Sequence, residues 1–130
     1  MAVLLDTDVV IHLRDGHPWV EEQVATLEPP FFISAVSRVE LENGVAGNDG
    51  DARRGLLDHA LRYLVTLDFA TGEIDAYRTI VRRTCFSRRK TADRMTAATA
   101  LSHALPLVTL NGKDYRDVPG LELVAWSLPA

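Results

Sequence analysis

Two carboxylates stand inside an aliphatic run near the start of the chain. They are Asp6 and Asp8, on either side of Thr7, between Val3-Leu4-Leu5 and Val9-Val10-Ile11. Charge in that setting admits three readings: a nucleophile, a metal ligand, or the cap of a helix. Three further acids recur down the chain, Glu40, Asp93 and Asp114, with Asn111 close to the last. Carboxylates gathered in one place repel, and each desolvated one raises its neighbours' pKa values. A divalent cation removes that penalty. Mg²⁺ and Mn²⁺ prefer oxygen ligands, and Mg²⁺ keeps waters while taking one or two carboxylates and phosphate oxygens. Such a site suits phosphoryl chemistry, because the ion lowers the pKa of attacking water and stabilises charge on the phosphate. Whether these acids meet depends on the elements that carry them.

Val3 to Leu5 reads as a buried strand. Thr7 or Asp8 is expected to cap a short helix over Val9 to Leu13, broken by Gly16 and Pro18. Trp19 to Leu27 has helical spacing, and Pro29-Pro30 ends it. Phe31 to Ser34 is a second apolar strand. Ser37 starts a helix to about Val45, closed by Gly44 and Gly47. Asp51 to Leu64 is amphipathic, with Leu56, Leu57, Ala60, Leu61 and Leu64 on one face. Val65, Leu67 and Phe69 alternate as a short strand. Thr71 caps a helix with Ile74, Tyr77, Ile80 or Val81, and Thr84 inward. Thr91 caps the next, with Met95, Ala98, Leu101 or Ser102, and Leu105 inward, and Pro106 stops it. Leu107 to Leu110 is a strand, Asn111-Gly112 a turn, and Leu121 to Val124 a last strand. Strands alternating with helices predict a three-layer α/β/α sandwich around a parallel sheet of four or five strands.

In such a sheet ligands gather outside the carboxyl ends of the strands. Asp6 follows the first strand directly. Glu40 falls in the first turn of the helix after the second strand. Asp93 falls in the first turn of the helix leading to the strand Leu107 to Leu110, and Asn111 and Asp114 follow that strand. The topology alone therefore brings Asp6, Glu40, Asp93 and Asp114 to one rim. Each acid also has a plain structural reading. Asp6 or Asp8 caps a helix, Ser37-Arg38-Val39-Glu40 forms a capping box, Asp93 answers a helix dipole, and Asp114 ends a turn.

The stretches Leu4 to Ile11, Ile33-Ser34 through Glu40-Leu41, Asp93 to Ala100, and Leu107 to Asn111 with Asp114-Tyr115 resemble the PIN-domain family. Within it they are similar to the small VapC-type toxins of toxin–antitoxin pairs. The four stretches run end to end at the family's intervals. The length, 130 residues, suits a single PIN-like domain over 1–130 with no room for another. The resemblance implies a Mg²⁺- or Mn²⁺-dependent endoribonuclease that hydrolyses RNA by metal-activated water, leaving 5′-phosphate and 3′-hydroxyl ends. Carried over by position, Asp6, Glu40, Asp93 and Asp114 form its acidic quartet, with Asp6 and Asp93 the leading ligands. Glu40 binds metal or orients the water, and family members differ most at Asp114. Thr7 and Asn111 match supporting polar positions. A homodimer and a VapB-type antitoxin, whose tail would occupy the acidic groove, are also implied. Two departures stand out: Asp8, where many relatives have Asn or Ser, is read as a cap, and Arg94-Met95-Thr96 replaces a more aliphatic run.

The formal net charge is −4, yet Arg82, Arg83, Arg88, Arg89, Lys90 and Arg94 are six of the 14 basic residues, opposed locally only by Asp93. This segment is the expected contact for RNA phosphates. Exposed aromatics such as Trp19 and Tyr63 are candidates for a partner interface. Cys85, the single cysteine, excludes an internal disulfide framework, fits a cytoplasmic setting, and is expected to face the core. No run approaches the ~18 apolar residues of a membrane span, and no signal peptide is evident at the N-terminus. The four histidines lack ligand spacing. Two rivals remain. Asp6-Thr7-Asp8 after a strand also resembles haloacid dehalogenase-like phosphatases, with Asp6 as nucleophile and Asp8 as general acid. Against that, no lysine follows a later strand and no closing acidic pair is present. The other rival is a PIN fold that binds a partner without cutting.

Overall fold

The computed structural model describes residues 2–46 and 50–130. Five strands, β1 (Val3–Leu5), β2 (Phe31–Ser34), β3 (Leu64–Leu67), β4 (Leu107–Thr109) and β5 (Leu123–Ala125), pair in parallel in the order β3-β2-β1-β4-β5. Six helices connect them: α1 (Thr7–Arg14), α2 (Pro18–Ala25), α3 (Ala35–Asn43), α4 (Gly50–Leu61), α5 (Thr71–Thr84) and α6 (Thr91–Ser102). Short 3-10 turns cover Arg88–Lys90 and Gly112–Asp114.

Because strand side chains alternate between faces, a parallel sheet covered on both sides needs apolar residues at successive positions. β1 satisfies this. Val3 and Leu5 join Val9, Val10, Val20, Val24, Ile33, Leu41 and Leu57 in one core layer, under α1 to α4. Leu4 joins Ile80, Ala97, Ala98, Ala100 and Leu107 in the other, under α5 and α6. The three-layer sandwich is therefore as expected, with five strands. Leu4 and Leu5 are fully buried, each contributing about 1.5–3 kcal/mol. Among the described residues no helix is long and apolar enough to cross a membrane.

β1 lies at the centre, and the chain steps from it to β2 on one side and later to β4 on the other. The carboxyl ends of β1 and β4 thus form a topological switch point, the usual place for a ligand crevice in an open α/β sheet.

Several expected details are corrected. Of the residues read as caps of α1, Asp6 is the one, its side chain accepting from the Thr7 amide, and neither Thr7 nor Asp8 is. α3 begins at Ala35 because Ser34, the last residue of β2, is already its cap, accepting from the Ser37 amide at 3.0 Å. Ser37 is therefore inside the helix, and Glu40 falls in its second turn. Ala70 and Lys90, not Thr71 and Thr91, occupy the cap positions of α5 and α6. α4 stops at Leu61, so Leu64 belongs to β3, while Leu56 and Ile74 are about half exposed. β4 stops at Thr109, and β5 starts at Leu123. Gly47 lies outside the described residues. Cys85 is exposed rather than core-facing, at φ +125° just past α5.

Candidate active site

Asp6 leaves β1 at the sheet edge and is 8% exposed. Its Oδ1 accepts from the Thr7 amide at 2.9 Å, and its Oδ2 from the hydroxyls of Thr109 at 2.8 Å and Tyr115 at 3.0 Å. Burial, and then the charge of Asp8, push its pKa up to about 6, against the pull of those three hydrogen bonds.

Asp8 occupies the first turn of α1 but does not cap it. Its carboxylate accepts from the Asn111 side-chain amide at 2.7 Å and the Leu110 backbone amide at 3.3 Å, tying α1 to the end of β4. Glu40 accepts from the Thr7 hydroxyl at 2.6 Å. The same hydroxyl lies 2.9 Å from Ser37 Oγ. Ser34, which donates to Ser37 Oγ, contacts Thr96 in turn. Contacts between the hydroxyls of Thr96, Ser34, Ser37 and Thr7 therefore link α6, β2, α3 and α1 to Glu40.

Asp93 sits in the first turn of α6, with Oδ1 3.3 Å from the Tyr115 hydroxyl. Burial raises its pKa first, then the charge of Asp114, with Glu40 and Asp8 adding to it. Asp114 closes the 3-10 turn Gly112–Asp114. That turn lies close on β5: a Cβ on Gly112 would come within 2.7 Å of Ala125 Cβ.

These elements bring Asp6, Thr7, Asp8, Glu40, Asp93, Asn111 and Asp114 to the wall of one cavity of about 210 Å³. All four expected acids are there, with Asp8 as a fifth. Among the described residues none of the five forms an ion pair with a lysine, arginine or histidine. Nor, among the described residues, do any three histidine, cysteine or acidic side chains come together closely enough to hold a metal ion by themselves. The carboxylates are held on hydroxyls and amides instead. A hard oxygen donor set without a protein cation fits Mg²⁺ or Mn²⁺, of which Mg²⁺ retains waters and needs only one or two carboxylates. A larger cavity of about 400 Å³, lined mainly by α1, α2 and α4, is apolar and lies away from these acids.

The basic segment divides. Arg89 and Lys90 line an adjoining cavity with Ser87, Asp93 and Asp114. Arg82, Arg83 and Arg88 are exposed. Arg94 is corrected: it is 4% exposed, and its Nη2 donates to Asp117 at 3.0 Å, so it is not free for phosphate. Removing one partner of a buried ion pair strands the other charge, at about 3–5 kcal/mol when both are buried. Asp117 is 45% exposed and also pairs with Lys90 at 3.6 Å, so Asp117→Asn should cost about 1–3 kcal/mol by urea unfolding. Unaltered stability would contradict the buried pairing assigned to Arg94. Trp19 is only partly exposed and packs edge-on against Trp126, while Tyr63 is 65% exposed.

Sequence reasoning missed Thr109 and Tyr115. Thr109 ends a buried strand, where a hydroxyl needs a partner, and Tyr115 directly follows Asp114. Both were legible as polar tips on core residues, but nothing in their spacing pointed to Asp6.

A PIN domain model matches residues 3–121. Ribonuclease VapC1 of Rickettsia felis is 28% identical over 133 residues, covering 98% of both chains. Ribonuclease VapC of Rickettsia bellii is 25% identical, covering 95% of this chain and 96% of the relative. In fold the chain is similar to VapBC2 from Rickettsia felis, solved bound to a promoter DNA fragment. That match has a TM-score of 0.84 at 24% identity and covers 98% of this chain and 100% of the other. DNA-bound VapBC from Salmonella typhimurium matches with a TM-score of 0.83 at 20% identity, covering 97% of this chain and 98% of the other.

Proposed function

The chain belongs to the PIN-domain family, in its VapC-type toxin–antitoxin branch, and from that premise we propose that it is a Mg²⁺- or Mn²⁺-dependent endoribonuclease. The observation that carries the proposal is the meeting of five carboxylates in one cavity, at the switch point, without a protein cation among the described residues. When bound, a divalent ion supplies charge neutralisation at the phosphate and acidifies an attacking water. Asp6 and Asp93 would hold that ion, and Asp114 lines the same cavity. Glu40 is turned toward the cavity by Thr7 and accepts a hydrogen bond from the attacking water, orienting it. Asn111 supports the site through Asp8, keeping the β4 end against α1.

Arg89 and Lys90 contact the phosphates beside the scissile bond, and Arg82, Arg83 and Arg88 extend the basic face. Arg89→Gln with Lys90→Gln should weaken RNA binding and reduce the slope of log affinity against log salt by about 1–2, since each single-strand phosphate contact contributes ~0.7. An unchanged slope in a fluorescence-anisotropy titration would remove both from the RNA path. The proposal extends to a VapB-type antitoxin and a homodimer. The antitoxin is supported by fold neighbours solved as VapBC complexes, and the homodimer by the family resemblance alone.

The test is incubation of the purified chain, free of antitoxin, with RNA in Mg²⁺ or Mn²⁺ and in chelator. Cleavage with metal and none in chelator is expected. Undiminished cleavage in chelator contradicts the proposal, and no cleavage of any RNA favours a binding module.

A further inference from the structure

We infer that the Tyr115 hydroxyl positions Asp6 and Asp93 for a shared divalent cation; this rests on the metal-dependent reading above. The ring is 2% exposed and packs in the core layer with Leu4, Ile80, Leu107 and Val118. Its backbone is fixed as well, its amide donating to the Gly112 carbonyl at 3.0 Å. The hydroxyl therefore has little freedom to move. It lies 3.0 Å from Asp6 Oδ2 and 3.3 Å from Asp93 Oδ1.

A phenol carries one proton, and two carboxylates share it. The sharing offsets part of their repulsion and holds one oxygen of each beside the same atom. The dependence is unequal. Asp6 keeps the Thr7 amide and the Thr109 hydroxyl if Tyr115 is lost. For Asp93, Tyr115 is the one hydrogen-bond donor among the described residues. Tyr115 is thus a positioning residue whose main client is Asp93, which rises from a helix on the other side of the cavity from β1.

Tyr115→Phe keeps the ring and removes the proton. Mn²⁺ binding without RNA, followed by the electron paramagnetic resonance signal of free Mn²⁺, should weaken about tenfold, the scale of one hydrogen bond to a charged group. In an Asp93→Asn background the same change should weaken binding by less than about twofold, because the carboxylate charge that Tyr115 holds in place is already gone. A merely structural role would weaken both backgrounds alike. A second readout does not depend on how Tyr115→Phe folds: with 3-fluorotyrosine at position 115, the ¹⁹F resonance should move on addition of Mg²⁺. Equal Mn²⁺ affinity of wild type and Tyr115→Phe, equal weakening in both backgrounds, or an unmoved resonance at saturating Mg²⁺ overturns this inference alone. Wild type that binds no Mn²⁺ overturns the metal reading, and this inference with it.

Discussion

Asp6→Asn and Asp93→Asn are each expected to reduce RNA cleavage by about three orders of magnitude or more, with the fold retained. A cation's stabilisation of phosphate charge is worth several kcal/mol, and each 1.36 kcal/mol is tenfold in rate. Both substitutions keep side-chain size, and the amide oxygen still accepts from Tyr115, so the architecture has no reason to fail. What is lost is charge. Asp93 is the cleaner test, being half-buried and held by one donor among the described residues. Asp6 sits deeper, with three donors aimed at it. Single-turnover cleavage at fixed Mg²⁺, beside matched circular dichroism, checks the result. Cleavage that survives either change removes that carboxylate from the site.

The second expectation concerns stability, and its sign is opposite to that of an ion-paired acid. Asp6 has its pKa raised from 3.8 to about 6, so the folded state holds its proton more tightly than the unfolded chain does. Its favourable contribution is present while it is protonated and is lost as pH rises from about 4 to about 6. The full shift corresponds to about 3 kcal/mol. Asn at position 6 is neutral, but its amide nitrogen cannot accept, so with the oxygen kept toward Thr109 and Tyr115 the Thr7 amide loses its partner, which takes back about 1–2 kcal/mol. Asp6→Asn should therefore be more stable than wild type by about 1–2 kcal/mol at pH 7 in chelator, and no more stable near pH 4. Urea unfolding at the two pH values measures this. Greater stability of wild type at pH 7 would contradict the strain assigned to Asp6. The same shift implies that metal binding and cleavage rise with pH through about 6, because the ion requires the ionised carboxylate. A protein that stores such repulsion in its site exchanges stability for function.

The sheet was legible because its strands are short apolar runs whose alternate residues feed two core layers, as Leu4 and Leu5 do. The convergence was legible because Asp6, Asp93 and Asp114 each follow a strand or start a helix at the same edge, and Glu40, though one turn deeper than expected, rides the helix that leaves β2 there. The caps were less so. Ser37-x-x-Glu40 carries a capping signal, but β2 delivers Ser34 directly into α3 and the helix starts earlier. Asp8 looked like a cap, or like a phosphatase general acid, because its partners Leu110 and Asn111 lie about a hundred residues away. Arg94 looked like part of a basic face because its neighbours are basic. Only the packing of α6 turns it inward to Asp117. Cys85 followed a core prior, yet it falls beyond the last turn of α5. Tyr115 and Thr109 looked like core residues, and they are. Their hydroxyls reach Asp6 from β4 and from the turn after it, contacts that sequence separation hides.

The central claim is that these carboxylates serve hydrolysis of RNA by water. The most direct measurement is the chemistry of the ends the purified chain makes on RNA in Mg²⁺. Hydrolysis by water leaves 5′-phosphate and 3′-hydroxyl ends, open to ligation without prior phosphorylation, and these ends should be absent with Asp93→Asn. Ends bearing 5′-hydroxyl and 2′,3′-cyclic phosphate, formed as readily in chelator and with Asp93→Asn, would contradict it.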